Sequence, residues 1–435
     1  MKSVTWLASL IWLTSLIWVQ TTSRSDFTTL WSSYSICFAA YAWLIFSKQH
    51  VTLKYGLIIG VVARLASLFF EPQLSDDYYR FIWDGMIMHQ GVHPMMYTPS
   101  FLLIHPEIAS IPEGLFSLLN SKDYYSVYPP LAQWIYFISY KINGLNLHGH
   151  VVFYKLLLII VDLIILFLLY RLLKKKNLPS SQVLWYALNP LVILEFTGNL
   201  HMDGLMIAGL LGAILVTDQK HIWGSSLLMS VSIASKLLTL MLMPFMPRRL
   251  YWKKMVLFSI LTLTWSIIIF WLSFGKNTGW LDSVRLWFTS FEFNASIYYA
   301  VRFIGYLIVG YNAIGMIGPA LASLTMIGIG IIWWKYIRKN KLDWTQAMLF
   351  ALTLYFMMST TVHPWYLGML VALSVLSVHT YPIVWSYLVF LSYSHYQGSS
   401  FAENYYLIGL EYLLLFGWMW WESIWVKRSP EMVTY

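Results

Sequence analysis

Thirteen apolar runs, near 4–19, 29–47, 55–70, 152–173, 181–196, 203–217, 222–246, 254–274, 312–334, 344–358, 364–378, 383–397 and 405–425, take up most of this 435-residue chain. A run approaching 20 apolar residues can satisfy its backbone in lipid only as a helix, so such a chain is restricted to an all-α bundle in a membrane. The rest of the composition agrees: 59% of residues are hydrophobic and 11% charged, against about 25% charged in a soluble domain. The first run is near the length of a signal-peptide core. No small-residue cleavage site follows it in QTTSRSDFTT and another long run does, so it reads as a retained helix. The single cysteine, Cys37, lies inside an apolar run, which rules out an intrachain disulfide and argues against thiol or zinc chemistry. The formal charge of +9 comes from short basic clusters between apolar runs rather than from one basic face, so nucleic acid is not an expected partner.

Those clusters carry topology. Lys48 and Lys54, Lys174 to Lys176, Arg248 and Arg249, Lys253 and Lys254, Arg338 with Lys339 and Lys341, and Lys427 with Arg428 are all expected on the cytoplasmic side. Keeping them there, with the N-terminus inside, lays the 131–142 stretch in the outer interface and makes 71–150 one long external loop. It also makes 297–310 interfacial or re-entrant. The 222–246 run is either two short limbs turning near Ser235 and Lys236 or one helix with a buried lysine. The total is about 14 crossings, with both termini inside and residues 1–435 forming a single domain.

The densest polar stretch is LSDDYYRFIWDGMIMHQGVHPMMYTP, residues 74–99. Ser75 is placed to cap a helix over 76–90 that Gly91 and Pro94 stop. On that helix Asp77, Arg80 and Asp84 share a face, with Asp76 one turn from Arg80. Carboxylates at a helix start are suited to taking a proton or binding a cation. They suit a solvated amphipathic helix equally well. Farther on, Asn189, Glu195, Asn199, His201 and Asp203 mark the end of one apolar run and the start of the next; His201 and Asp203 can face the same way only if the link bends. They could bond a sugar hydroxyl or cap the following helix. Asp162 lies mid-span and needs a structural partner. His363, Trp365 and Tyr366 begin another run; the aromatics suit interfacial anchoring, while His363 could donate to a phosphate. Arg285, Trp287, Asn294 and Arg302 could serve a ligand or only lipid headgroups.

Taken together, SDDYYRFIWDG with GVHPMMYTP, then YPPLAQW, NPLVILEFTGNLHMDG, SKLLTLMLMP and VHPWYL, resemble successive motifs of the GT-C class of integral-membrane glycosyltransferases. The likeness, over about residues 70–380, is greatest to bacterial mannosyltransferases that use a polyprenyl-phosphate-linked sugar. It departs at His93-Pro94-Met95, where Asn-Pro-Tyr is common, and at Met86, where a basic residue is common. The resemblance implies a polyprenyl-phosphate-mannose donor, a glycan or lipid acceptor, an active site on the external face of the inner membrane, and inversion at the anomeric carbon. It puts the catalytic base on Asp77 or its neighbour Asp76. The donor phosphate then meets Arg80, Lys236 or His363, and Asp84, Asn199, His201, Asp203, Trp365 and Tyr366 contact substrate. No cofactor is firmly implied; a divalent ion could sit at Asp76 and Asp77, although no full ligand set is visible. The rival reading is a transporter or flippase of a lipid-linked sugar, which also needs a polar cleft but usually carries internal repeats that are not seen here.

Overall fold

In a computed structural model the described residues are 3–47, 51–218, 221–246, 252–274, 291–338, 342–397 and 400–428. Lys48, Arg248, Arg249, Arg285, Trp287, Lys339 and Lys341 lie outside them. The described chain is helical apart from a two-residue hairpin that pairs Tyr396–Gln397 with Ser400–Phe401 and an isolated bridge between Phe293 and Thr361.

Among the described residues, five helices are long and apolar enough to cross a membrane: α1 (Ser3–Thr21), α2 (Phe27–Phe46), and those at Leu147–Lys175, Trp252–Ser273 and Ile314–Arg338. A sixth crossing results if Pro190–Gly198 and Asp203–Thr217, bent by 114° at their junction, count as one span. The 405–425 run is one continuous helix, Tyr405–Arg428, and the remaining apolar runs are shorter or broken helices among the described residues, so the expected fourteen crossings do not appear as fourteen continuous rods. The 222–246 run is a helix over Ile222–Ser235, an extended residue at Lys236 and a 3-10 segment over Leu237–Phe245. Its break falls where the sequence reading put it. Pro130–Asn143 has 14 residues and Ile297–Val309 has 13, both short of the ~20 that a straight crossing needs.

The first loop has its own apolar core. Phe81, Ile82, Trp83 and Met86 of α4 (Asp77–His89) pack with Leu102, Leu115, Tyr136 and Tyr154, and with Leu200 and Met202 from the bent junction. Gly85 permits this close approach, because a Cβ there would lie 2.2 Å from the Tyr136 carbonyl oxygen. A second, larger core runs through the remaining helices. Inside it, Arg64 of α3 (Leu53–Ala66) donates to Asp162 at 2.7 Å, and Tyr186 donates to the other Asp162 oxygen at 2.9 Å. The mid-span acid therefore has the structural partner it needed.

Candidate active site

The capping of α4 differs from the expectation. The residue flanking the helix is Asp76, whose side chain makes no capping bond, and the Ser75 hydroxyl accepts from the Asp77 amide at 3.3 Å. Asp76 instead forms an ion pair with Arg24, from the turn between α1 and α2. The Arg24 guanidinium also lies 4.7 Å from the centroid of the Tyr396 ring, and its amide donates to the Gln73 carbonyl. Nothing in the sequence singles out Arg24, since its partners are far along the chain. Because Arg24 occupies Asp76, the acid pair does not fit a metal, and among the described residues no three His, Cys, Asp or Glu side chains converge to hold one.

Asp77 is half-buried. One of its oxygens accepts from Asn120 at 3.0 Å. Burial raises its pKa above the ordinary carboxylate value, opposed by the Asn120 bond, helped by the charge of Asp76 and opposed again by Arg24. It also acts electrostatically on Tyr128 and Tyr366, the latter from the distant 363–366 stretch.

Arg80 and Asp84 are committed elsewhere. Arg80 donates through Nε to Asp84 at 2.8 Å and through Nη1 to the carbonyls of Ser121 and Tyr124 at 2.9 and 3.0 Å. Asp84 is fully buried, and its second oxygen accepts from Ser126 and Gln133. These groups staple the 121–126 segment to α4. Only Nη2 of Arg80 is left without a partner, so this side chain is placed as a brace more than as a phosphate ligand. Asp84, expected to contact substrate, has both oxygens engaged by Arg80, Ser126 and Gln133. Asn199 is likewise engaged: its carbonyl oxygen accepts from the Leu74 amide and its amide donates to the Leu194 carbonyl.

The link that had to bend does so by a specific device. Residues Ile193–Gly198 form a π-helical turn, and Leu200 follows with φ of +68°. That conformation is costly for leucine. It is held because Leu200 is fully buried in the first-loop core. The kink turns His201 toward Glu195, with Nε2 3.5 Å from a carboxylate oxygen, and starts the next helix at Asp203. Asp203 accepts from Lys236 Nζ at 2.7 Å, the lysine standing at the break in the 222–246 run. The ammonium also lies 3.7 Å from the centroid of the Tyr366 ring.

His363 precedes a 3-10 turn over Pro364–Tyr366. Its ring stacks on Trp365 at 4.4 Å, and His201 stacks on the same indole at 3.6 Å. Burial, followed by the charge of Lys236, pushes the His363 pKa down to about 3, so the ring is neutral at physiological pH. Tyr366 is buried rather than turned to a lipid interface. Gly368, just beyond, lets Phe196 close over this turn, since a Cβ there would meet the phenyl ring at 2.3 Å. Lys236, His363, His201, Asp203, Trp365 and Tyr366 are thus brought together, with Asp77 within electrostatic reach. Asn294 and Arg302 are bonded to Glu411 and Glu292.

A family model described as alpha-(1->6)-mannopyranosyltransferase, N-terminal domain, matches residues 3–251, more than half of the chain. The chain belongs to this mannosyltransferase family. A curated relative, alpha-(1->6)-mannopyranosyltransferase A of Corynebacterium glutamicum, is 22% identical over 358 residues, covering 73% of this chain and 69% of its own length. No solved structure matches. The chain is accordingly a mannosyltransferase of GT-C type, and its apolar helices fit a membrane protein. The family match spans α4, the bent junction and Lys236, whereas His363 to Tyr366 lie beyond it.

Proposed function

We propose that this chain transfers mannose from a polyprenyl-phosphate-linked donor to a hydroxyl of a glycan or lipid acceptor, with inversion, on the external face of the inner membrane. The observation that carries this reading is the meeting of Lys236 and His363 at Tyr366, two groups from distant parts of the chain. The polyprenyl tail lies among the apolar helices and the phosphate against Lys236 and His363. Lys236 opposes the charge that develops on the departing phosphate, and His363, being neutral, supplies a hydrogen bond. Asp77 has one oxygen on Asn120 and uses the other to take the acceptor proton. The acceptor oxygen bonds to the anomeric carbon as the carbon–phosphate oxygen bond breaks, releasing polyprenyl phosphate. One displacement inverts the centre and needs only one carboxylate.

The test is incubation of the purified protein with radiolabelled polyprenyl-phosphate-mannose and a lipid extract. Label in a new product supports the reading. Label carried across a vesicle membrane without a product would make the protein a transporter. Sidedness is tested separately with cysteines at Lys122 and Asn146 in a Cys37→Ser background. Both are expected to react with an impermeant thiol reagent in intact spheroplasts, and labelling of only one would mean that Pro130–Asn143 crosses the membrane.

A further inference from the structure

Beyond the family match, which ends at residue 251, a short segment reaches His363 from the C-terminal part of the chain. Phe293 forms a parallel bridge with Thr361: its amide donates to the Thr360 carbonyl at 3.1 Å, and its carbonyl accepts from the Val362 amide at 2.8 Å. Its ring stacks on His363 at 4.4 Å and lies 5.2 Å from His395. The backbone thus ties Phe293 to the 360–362 stretch, and its ring rests on the imidazole that follows. Asn294 then turns the chain with φ of +48°, a left-handed conformation that asparagine adopts more readily than most side chains. The turn aims Asn294 at the Tyr405–Arg428 helix and the residues leading into it. Its amide donates to Glu403 at 2.9 Å, its carbonyl accepts from the Tyr412 hydroxyl at 2.7 Å, and its side-chain amide donates to the two Glu411 oxygens at 3.1 and 3.3 Å. Glu411 is fully buried and also accepts from Trp385 Nε1 at 2.9 Å. All of these donors to Glu411 are neutral. An apolar residue of similar volume would fill the same place without the cost of burying an acid. What the acid adds is a pair of acceptors where Asn294 is held.

We infer that Asn294 and Glu411 are positioning residues that hold Phe293 and, through its ring, set the orientation of the His363 imidazole; the benefit to catalysis rests on the phosphate role given to His363 above. His363 Nδ1 is buried and makes no hydrogen bond, so the stacked rings of Phe293 and Trp365 set the plane of the imidazole. A neutral imidazole donates through an N–H that lies in that plane, and a hydrogen bond weakens steeply once the donor is misaligned. A tilt of the ring therefore costs donor binding. A purely architectural pair would leave the imidazole where it stands when the pair is removed.

The experiment follows the His363 imidazole by NMR in detergent-solubilised protein carrying isotope-labelled histidine, its signal assigned by its absence from His363→Ala, together with equilibrium binding of polyprenyl-phosphate-mannose. Glu411→Leu removes both acceptors, and Asn294→Gly keeps the left-handed turn but removes the side chain. Each is expected to shift the His363 signal and to weaken donor binding roughly tenfold, the order of one hydrogen bond to a charged group. Glu411→Gln still accepts from Trp385 and pairs with Asn294 once that amide is turned over, so it is expected to keep the wild-type signal and affinity. Glu411→Leu is expected to add no further loss of affinity to His363→Ala, because the two act through one contact. An unmoved signal in both Glu411→Leu and Asn294→Gly, an additive loss on top of His363→Ala, or a Glu411→Gln protein as impaired as Glu411→Leu overturns the assignment. If Glu411→Leu fails to fold, Asn294→Gly decides by the same readouts. A shifted signal with donor affinity unchanged in every variant, His363→Ala included, upholds the positioning of His363 and removes that histidine from the phosphate.

Discussion

The two polar regions of this molecule handle buried charge in opposite ways. Around α4, Arg80 and Asp84 are closed off by each other, by two backbone carbonyls, by Ser126 and by Gln133. Around the bent junction, Glu195 and His201 face each other at 3.5 Å without a hydrogen bond, and His363 and His395 keep buried ring nitrogens that make none. A satisfied network specifies one arrangement and rigidifies it, whereas an unsatisfied one persists only if something else completes it. In the proposed mechanism the first region serves as scaffold and the second as site, with Asp77, one oxygen of which accepts from Asn120, acting from the start of α4.

The most severe test of that division is Asp77→Asn, which keeps the size and the Asn120 contact but cannot accept a proton. Turnover is expected to fall by roughly 10²-fold to 10⁴-fold, the usual share of a general base, with donor binding intact. Near-normal transfer by the purified variant would remove Asp77 from the chemistry and leave the whole α4 region as scaffold. Next is Arg80→Ala, which strands the Asp84 carboxylate. Breaking a buried pair costs about 3–5 kcal/mol, so the melting temperature and folded yield are expected to drop before any donor affinity can be read. A well-folded Arg80→Ala protein with weakened donor binding would return Arg80 to the phosphate and blur the contrast.

On the site side, His363→Ala and Lys236→Ala are expected to weaken donor binding by about 1.5–3 kcal/mol each, the worth of a hydrogen bond to a charged group, with folded yield nearly unchanged for His363→Ala and lowered for Lys236→Ala, which strands the Asp203 carboxylate. Equilibrium binding of a labelled donor reads this, and unchanged affinity in both variants would make them packing residues. The smallest expected effect is a shift in pH dependence. Burial holds the Asp77 pKa above its ordinary value, and only the ionised form accepts a proton, so kcat/KM falls as pH drops through that raised pKa. Arg24→Gln removes a neighbouring cation and moves this acid limb to higher pH; Asp76→Asn removes a neighbouring anion and moves it to lower pH. Shifts of the same sign in both variants would show structural disturbance instead of charge. With its pKa near 3, His363 contributes no limb around pH 6.5.

The α4 helix, its stop at a glycine of positive φ and the break at Lys236 were legible because each depends on residues close in sequence. Asp76 shows the limit: the local pattern suggested a proton acceptor or a cation ligand, and the fold gives it Arg24, 52 residues away, as an ion-pair partner. His395 carried no readable signal, since one histidine near the end of an apolar run looks like any other. Glu195 was noticed only as one acid among several, because whether a buried carboxylate keeps a free oxygen depends on which side chains reach it.

The sequence by itself determined that the chain is helical and apolar, where α4 stops, and which polar stretches are too costly to be incidental in such a chain, because hydrophobicity and local backbone preference act over a few residues. Only the tertiary structure decided which charges satisfy one another and which are left over. Asp203 and Lys236, Arg24 and Asp76, His201 and Trp365 are joined across gaps that no local preference spans, and hydrogen bonds and ring stacking reach only a few ångströms. Their partners are therefore fixed only once packing has brought the elements together.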